Sequence, residues 1–179
     1  MDRRIVILGF MGCGKTTVAK ELARKLEAEF IDLDSFITEH EGRSPAEIIQ
    51  AEGETAFRHL ESAALNEVLT ASDARVIALG GGTWTVPANR TLIALHDCLS
   101  VWLDATFDLC WQRIIDSGGS SRPLAPDQET ARARFADRRA TYNLAAEAIR
   151  VQATDSPEVI VEKFIKLIGP TPTGPPSEI

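Results

Sequence analysis

The feature that most constrains this chain is its beginning, "RIVILGFMGCGKTTVAKEL", where a short apolar run empties into the pattern G-x-x-x-x-G-K-[ST] at residues 9–16. The run at 4–9 reads as a fully buried strand, and the residues behind the glycines read as a helix through about Leu26. In such a loop, glycines let consecutive backbone N–H groups converge on phosphate oxygens, and the helix that follows points its positive end at the same place. Gly12, Cys13, Gly14, Lys15, Thr16 and Thr17 are therefore candidate nucleotide contacts. Lys15 adds a mobile cation at the β and γ phosphates, and Thr16 offers a hydroxyl to Mg²⁺. Cys13, a thiol among amide donors and near Lys15, reads either as a group with a lowered pKa or as a tolerated small residue.

The rest of the chain repeats the alternation of short β-rich runs with longer amphipathic stretches. Strand-like runs occur at 28–34 (AEFIDLD), 75–82 (RVIALGGG), 99–104 (LSVWLD) and 148–153 (AIRVQA). With the first run they make five strands of an α/β domain with a parallel sheet. Ser44, Pro45 and Glu47 form a capping box at the start of a helix that breaks at Gly53. A second helix then runs to about Thr70, with Phe57, Leu60, Ala64 and Val68 facing the core. Further helices follow the fourth strand, to about Ile115, and the fifth, where Ser156 caps a closing helix. Residues 1–168 read as one domain and 169–179, rich in Pro and Gly, as a disordered tail. The polar segment 116–128 interrupts two helical stretches and carries Arg122; it reads as a lid or a plain surface loop.

Composition narrows the partners. No apolar run approaches the ~18 residues needed to cross a bilayer, and the N-terminus shows no signal-peptide pattern, so a cytoplasmic protein is expected. Cys13, Cys98 and Cys110 form no CxxC pair, which suggests reduced thiols rather than a disulfide framework or a zinc site. A net charge of −7 argues against a nucleic-acid surface. An anionic ligand must then be met by a few basic residues gathered locally.

Several candidates for a second substrate lie further on. Asp32 and Asp34 read as the end of the second strand, sent to one side by strand alternation, where one carboxylate can serve Mg²⁺ and the other an acceptor hydroxyl. Gly80, Gly81 and Gly82 close the third strand; either the turn needs positive φ or a ligand approaches the backbone. Arg58 lies three residues before Glu61, close enough to touch, and Arg138 with Arg139 precedes Tyr142. A guanidinium binds carboxylate by two parallel bonds, so these arginines are candidates for a carboxylate clamp.

Taken in order, "GFMGCGKTT", "DLD" at 32–34, "FRHLE" at 57–61, "GGG" at 80–82, "RPL" at 122–124 and "RRATY" at 138–142 resemble the shikimate kinase family over about residues 4–165. The resemblance implies a nucleoside-monophosphate-kinase-like fold, three layers around a five-stranded parallel sheet in the order 2-3-1-4-5. It implies ATP as donor, Mg²⁺ as cofactor, shikimate as acceptor and a monomer. By the same resemblance Asp34 would bind the attacking hydroxyl, Asp32 would act on Mg²⁺ through water, and Arg58 and Arg138 would hold the acceptor carboxylate. Glu61 would fix Arg58, Gly81 would contact a ring hydroxyl, Arg122 would close over the phosphates, and Arg113 would lie near the adenine. Arg138 is preferred to Arg139 by its distance from Tyr142. Thr83, Trp84 and Ala140 depart from the usual family pattern without removing a functional group. A kinase for another polyol acid such as gluconate, and a nucleotide-binding module without transfer, remain the alternatives.

Overall fold

The computed structural model describes residues 3–118 and 124–169. Five strands, β1 (Ile5–Leu8), β2 (Phe30–Asp32), β3 (Val76–Ala78), β4 (Leu99–Ala105) and β5 (Glu147–Val151), form one parallel sheet in the order β2-β3-β1-β4-β5. Every residue of β1 and β3 is buried, whichever way its side chain points. The central strands are thus covered on both faces, as parallel connections through crossover helices require.

Those helices are α1 (Lys15–Lys25), α2 (Leu33–Glu41), α3 (Pro45–Ala71), α4 (Pro87–Leu95), α5 (Phe107–Asp116), α6 (Gln128–Tyr142) and α7 (Pro157–Ile168). Most of their starts are written in short polar side chains. Asp32, Ser44, Thr106, Asp127 and Ser156 each accept a bond from a first-turn amide of the helix they open. The capping box at Ser44 is complete, with the Glu47 carboxylate returning to the Ser44 N–H at 2.7 Å. The expected break at Gly53 is a kink inside α3, where φ 89° and ψ 164° interrupt the helical backbone. Among the described residues no helix is long and apolar enough to cross a membrane.

Several element bounds differ from the sequence expectation, and one difference matters. The second strand stops at Asp32, and Asp34 lies in the first turn of α2 rather than at a strand end. Asp32 caps the helix by accepting from the Ser35 N–H at 3.1 Å, which ends the strand two residues early. Helix geometry, not strand alternation, therefore aims Asp34. Helix α4, which the pattern reading left out, opens with Pro87 at its first turn. The Pro-rich tail beyond 169 and the segment 119–123, including Arg122, lie outside the described residues.

Candidate active site

The loop between β1 and α1 owes its shape to three glycines with positive φ: Gly9 at 144°, Gly12 at 76° and Gly14 at 101°. Gly12 is also sterically required, since a Cβ there would lie 2.5 Å from the Cys110 carbonyl oxygen. Gly14 occupies the N-cap of α1 and brings no side chain to its amides, leaving the first-turn N–H groups to a ligand. Lys15 begins that helix, and its Nζ donates to the Phe10 carbonyl at 3.2 Å. Thr17 follows on the exposed side of the same turn.

Thr16 and Asp32 come together from different elements, Oγ1 donating to Oδ2 at 2.6 Å. A hydroxyl and a carboxylate at the mouth of a phosphate loop are hard oxygen donors that fit Mg²⁺, which is usually held by one or two such groups plus substrate phosphates. Arg113 reaches back from α5 to the Cys13 carbonyl at 3.1 Å, beside the loop. The suggestion of an activated thiol at Cys13 fails. Its side chain is fully buried, and burial raises the thiol pKa despite the lowering effect of Lys15.

Beyond the loop lies a cavity of about 310 Å³ lined by Met11, Asp34, Phe57, Arg58, Gly81 and Arg138 among others. Asp34 is largely enclosed there. Burial, then the neighbouring charges of Asp32 and Glu61, push its carboxyl up to about 6, against the opposing pull of Lys15 and Arg58. Arg58 Nη1 donates to Glu61 Oε2 at 2.6 Å, so the i,i+3 pair expected from the spacing is made. Glu61 is completely buried, and its other oxygen accepts from the Thr83 hydroxyl at 2.6 Å.

Arg138 enters from α6, nearly buried, and donates to the Gly81 carbonyl at 3.1 Å. The Tyr142 hydroxyl donates to the same carbonyl, and burial keeps it protonated by raising its pKa. Arg139 turns the other way, onto Asp104 at 2.8 Å, and does not line the cavity.

Of the two reasons expected for the three glycines, the structure removes the turn. None of them has positive φ. A Cβ on Gly80 would lie 2.5 Å from Glu61 Oε1 and 2.8 Å from Asp34 Oδ1, and one on Gly82 would overlap the Arg58 guanidinium. At Gly80 and Gly82 the molecule's own charged side chains, rather than the turn, demand the missing methyl group, whereas a Cβ on Gly81 would meet nothing nearer than the Arg138 guanidinium at 3.4 Å. Once the Gly80 and Gly81 carbonyls are tied to Thr83 and to Arg138 with Tyr142, the trans peptide planes send the Gly81 and Gly82 N–H groups the opposite way.

Two groups were missed on the sequence. Glu54 accepts from Arg58 and from Arg134 of α6, and Thr83, noted as a departure, supports Glu61. The spacing of Glu54 four residues before Arg58 was a usable signal for the first. Trp84 lies buried away from the cavity lining, its indole N–H donating to the Thr141 carbonyl at 3.0 Å.

Comparison with known proteins bears on this arrangement. A family profile described as shikimate kinase matches residues 11–169. A shikimate kinase of Flavobacterium johnsoniae is 37% identical over 154 residues, covering 83% of this chain and 89% of its own. A crystal structure titled shikimate kinase from Acinetobacter baumannii in complex with shikimate superposes with a TM-score of 0.85 at 31% identity, covering 93% of this chain and 92% of that one. A gluconokinase from Sinorhizobium meliloti, at 19% identity and a TM-score of 0.62 over 90% of this chain and 89% of its own, shares the fold alone.

Proposed function

The chain belongs to the shikimate kinase family, and from that premise we propose how it transfers the γ-phosphoryl group of ATP to the 3-hydroxyl of shikimate, giving shikimate 3-phosphate. One observation carries the reading: Asp34, Arg58 and Arg138, which stand far apart in the sequence, line a single cavity directly beyond the phosphate loop. A cavity of this size suits one small ring, and its two guanidinium groups suit a carboxylate.

The donor's phosphates rest on the amides at Gly12–Thr17 and on Lys15, and Arg113 lies at the nucleotide end of that loop. Thr16, and Asp32 through water, would hold Mg²⁺, which would neutralise charge on the phosphate oxygens. Arg58 and Arg138 hold the acceptor carboxylate and thereby fix the ring, with the Gly81 amide on a ring hydroxyl. Asp34 receives the hydrogen bond of the attacking hydroxyl and takes its proton as the new O–P bond forms and the bond to ADP breaks. A carboxylate with its pKa near 6 is ionised at neutral pH yet a better proton acceptor than an ordinary aspartate. Catalysis is then mostly positioning and charge neutralisation.

An ADP-release assay across shikimate, gluconate and other polyol acids tests this. Turnover concentrated on shikimate is expected. Turnover with gluconate and none with shikimate would overturn the acceptor assignment, and tight ATP binding without transfer to any acceptor would favour a non-catalytic module.

A further inference from the structure

Arg58 and Arg138 face one cavity but are equipped in opposite ways. Arg138 donates to a carbonyl and, among the described residues, has no carboxylate within ion-pair distance. Arg58 already carries two, Glu61 on Nη1 at 2.6 Å and Glu54 on Nη2 at 3.1 Å. An acceptor carboxylate arriving at Arg58 would be the third anion around one guanidinium.

The two resident carboxylates are not equivalent. Glu61 is fully buried and bound to Thr83, so letting go of Arg58 would strand a charge in the interior. Glu54 is part-exposed, 37% by side chain, and is shared: both its oxygens also meet Arg134 of α6, at 3.4 and 3.2 Å. Burial opposes ionisation of Glu54, but the hydrogen bonds from Arg134 and Arg58 outweigh it and hold the carboxyl below the ordinary glutamate range. Glu54 is therefore an anion with a second counter-ion. It also directly follows the kink at Gly53, where the helical backbone is interrupted.

We propose that Glu54 is a placeholder for the acceptor's carboxylate, occupying Arg58 Nη2 until the acceptor takes that position, with Arg134 retaining the displaced side chain. The inference rests on the reading that Arg58 receives the acceptor carboxylate. In the resting site the placeholder keeps the guanidinium aimed and its charge matched. It also makes Glu54 a specificity residue, because only an anionic acceptor compensates Arg58 for the partner it loses; a neutral polyol does not.

Steady-state kinetics with shikimate and with its analogue carrying hydroxymethyl in place of the carboxylate test the idea. Glu54→Gln is expected to lower the KM for shikimate about threefold to tenfold with kcat within twofold, and to leave the KM for the neutral analogue unchanged. Arg134→Met leaves Glu54 with Arg58 alone, so the shikimate KM rises by a similar factor, and the rise disappears in the double variant. A higher shikimate KM in Glu54→Gln, an equal change for both acceptors, or a rise from Arg134→Met that persists without Glu54 would each overturn the placeholder. Wild-type preference for the acid over the neutral analogue checks the underlying reading separately. Where that preference is present and Glu54→Gln changes nothing, the placeholder alone fails; where it is absent, the role of Arg58 fails and the placeholder with it.

Discussion

The donor and acceptor sides of the site are built on different plans. The phosphate loop is one contiguous stretch whose shape comes from backbone: glycines at positive φ, a helix N-terminus, and a Gly12 pinned against the Cys110 carbonyl. The acceptor cavity is made of side chains from α2, α3 and α6 that meet over the glycines after β3. Its charged groups hold one another, Glu61 on Arg58 and Thr83, Arg138 on the Gly81 carbonyl. A backbone site binds any nucleotide triphosphate in much the same way, whereas a side-chain site can be retuned one residue at a time. The two halves should therefore fail separately under mutation.

Asp34→Asn gives the largest separation. Removing the proton acceptor should lower kcat by about 10²–10⁴-fold while the ATP KM stays near the wild-type value. The same substitution should stabilise the fold. The carboxyl is at about 6 in the folded chain against an ordinary 3.8, so the native state holds the extra proton between those values and stability falls as pH rises through that window. Above pH 6 the ionised, enclosed Asp34 costs on the order of 2–3 kcal/mol, which asparagine avoids. Thermal unfolding should show the variant more stable at pH 7.5 and no longer so near pH 4. In the wild type, kcat/KM for the acceptor should fall with unit slope below about pH 6, as Asp34 is protonated. A variant that keeps its kcat, or an acid limb that sits near pH 4, would remove Asp34 from the proton transfer and blur the distinction between the two halves.

Gly82→Ala tests the acceptor side by geometry. Its φ of −109° accepts alanine, and the nearest obstacle is the Arg58 guanidinium that the new methyl would overlap. That guanidinium is the end of a flexible side chain and will move, losing its fit to Glu61 and to the acceptor. Charge-assisted hydrogen bonds of this kind are worth about 1.5–3 kcal/mol, which corresponds to an acceptor KM raised roughly tenfold to a hundredfold. The ATP KM should not change. A comparable loss of ATP affinity would show that the two halves are mechanically coupled through the glycines.

The unequal legibility of the two halves in the sequence follows from the same difference in plan. A contiguous backbone site writes its requirements at fixed spacings, so Gly12, Gly14, Lys15 and Thr16 were readable together. The pairing of Arg58 with Glu61 was readable too, because both stand on one helix. What could not be read was how elements cross. Asp34 was placed on a strand because the cap that ends β2 is itself an aspartate of the motif, Asp32. The glycines at 80–82 were assigned to a turn or to a ligand, since nothing in their own stretch shows that Glu61, Asp34 and Arg58 converge there. Glu54 and Arg134 stand 80 residues apart and meet only once α3 and α6 are packed.

The finest test uses two neighbours in the turn after β3, Thr83 and Trp84. Thr83→Val keeps the shape but leaves a buried Glu61 oxygen without the hydroxyl that now donates to it at 2.6 Å. The cost in stability should be about 1–3 kcal/mol, and the acceptor KM should rise a few fold because Glu61 is what aims Arg58. Trp84→Phe loses the indole bond to the Thr141 carbonyl, worth about 0.5–1.5 kcal/mol, and some buried area. Yet Trp84 does not line the cavity, so the acceptor KM should stay within twofold. Both variants should lower the unfolding midpoint, but only the first should move the acceptor KM. If Trp84→Phe moved it equally, acceptor recognition would depend on the general firmness of the turn after β3, and the chain of contacts from Thr83 through Glu61 to Arg58 would lose its special place.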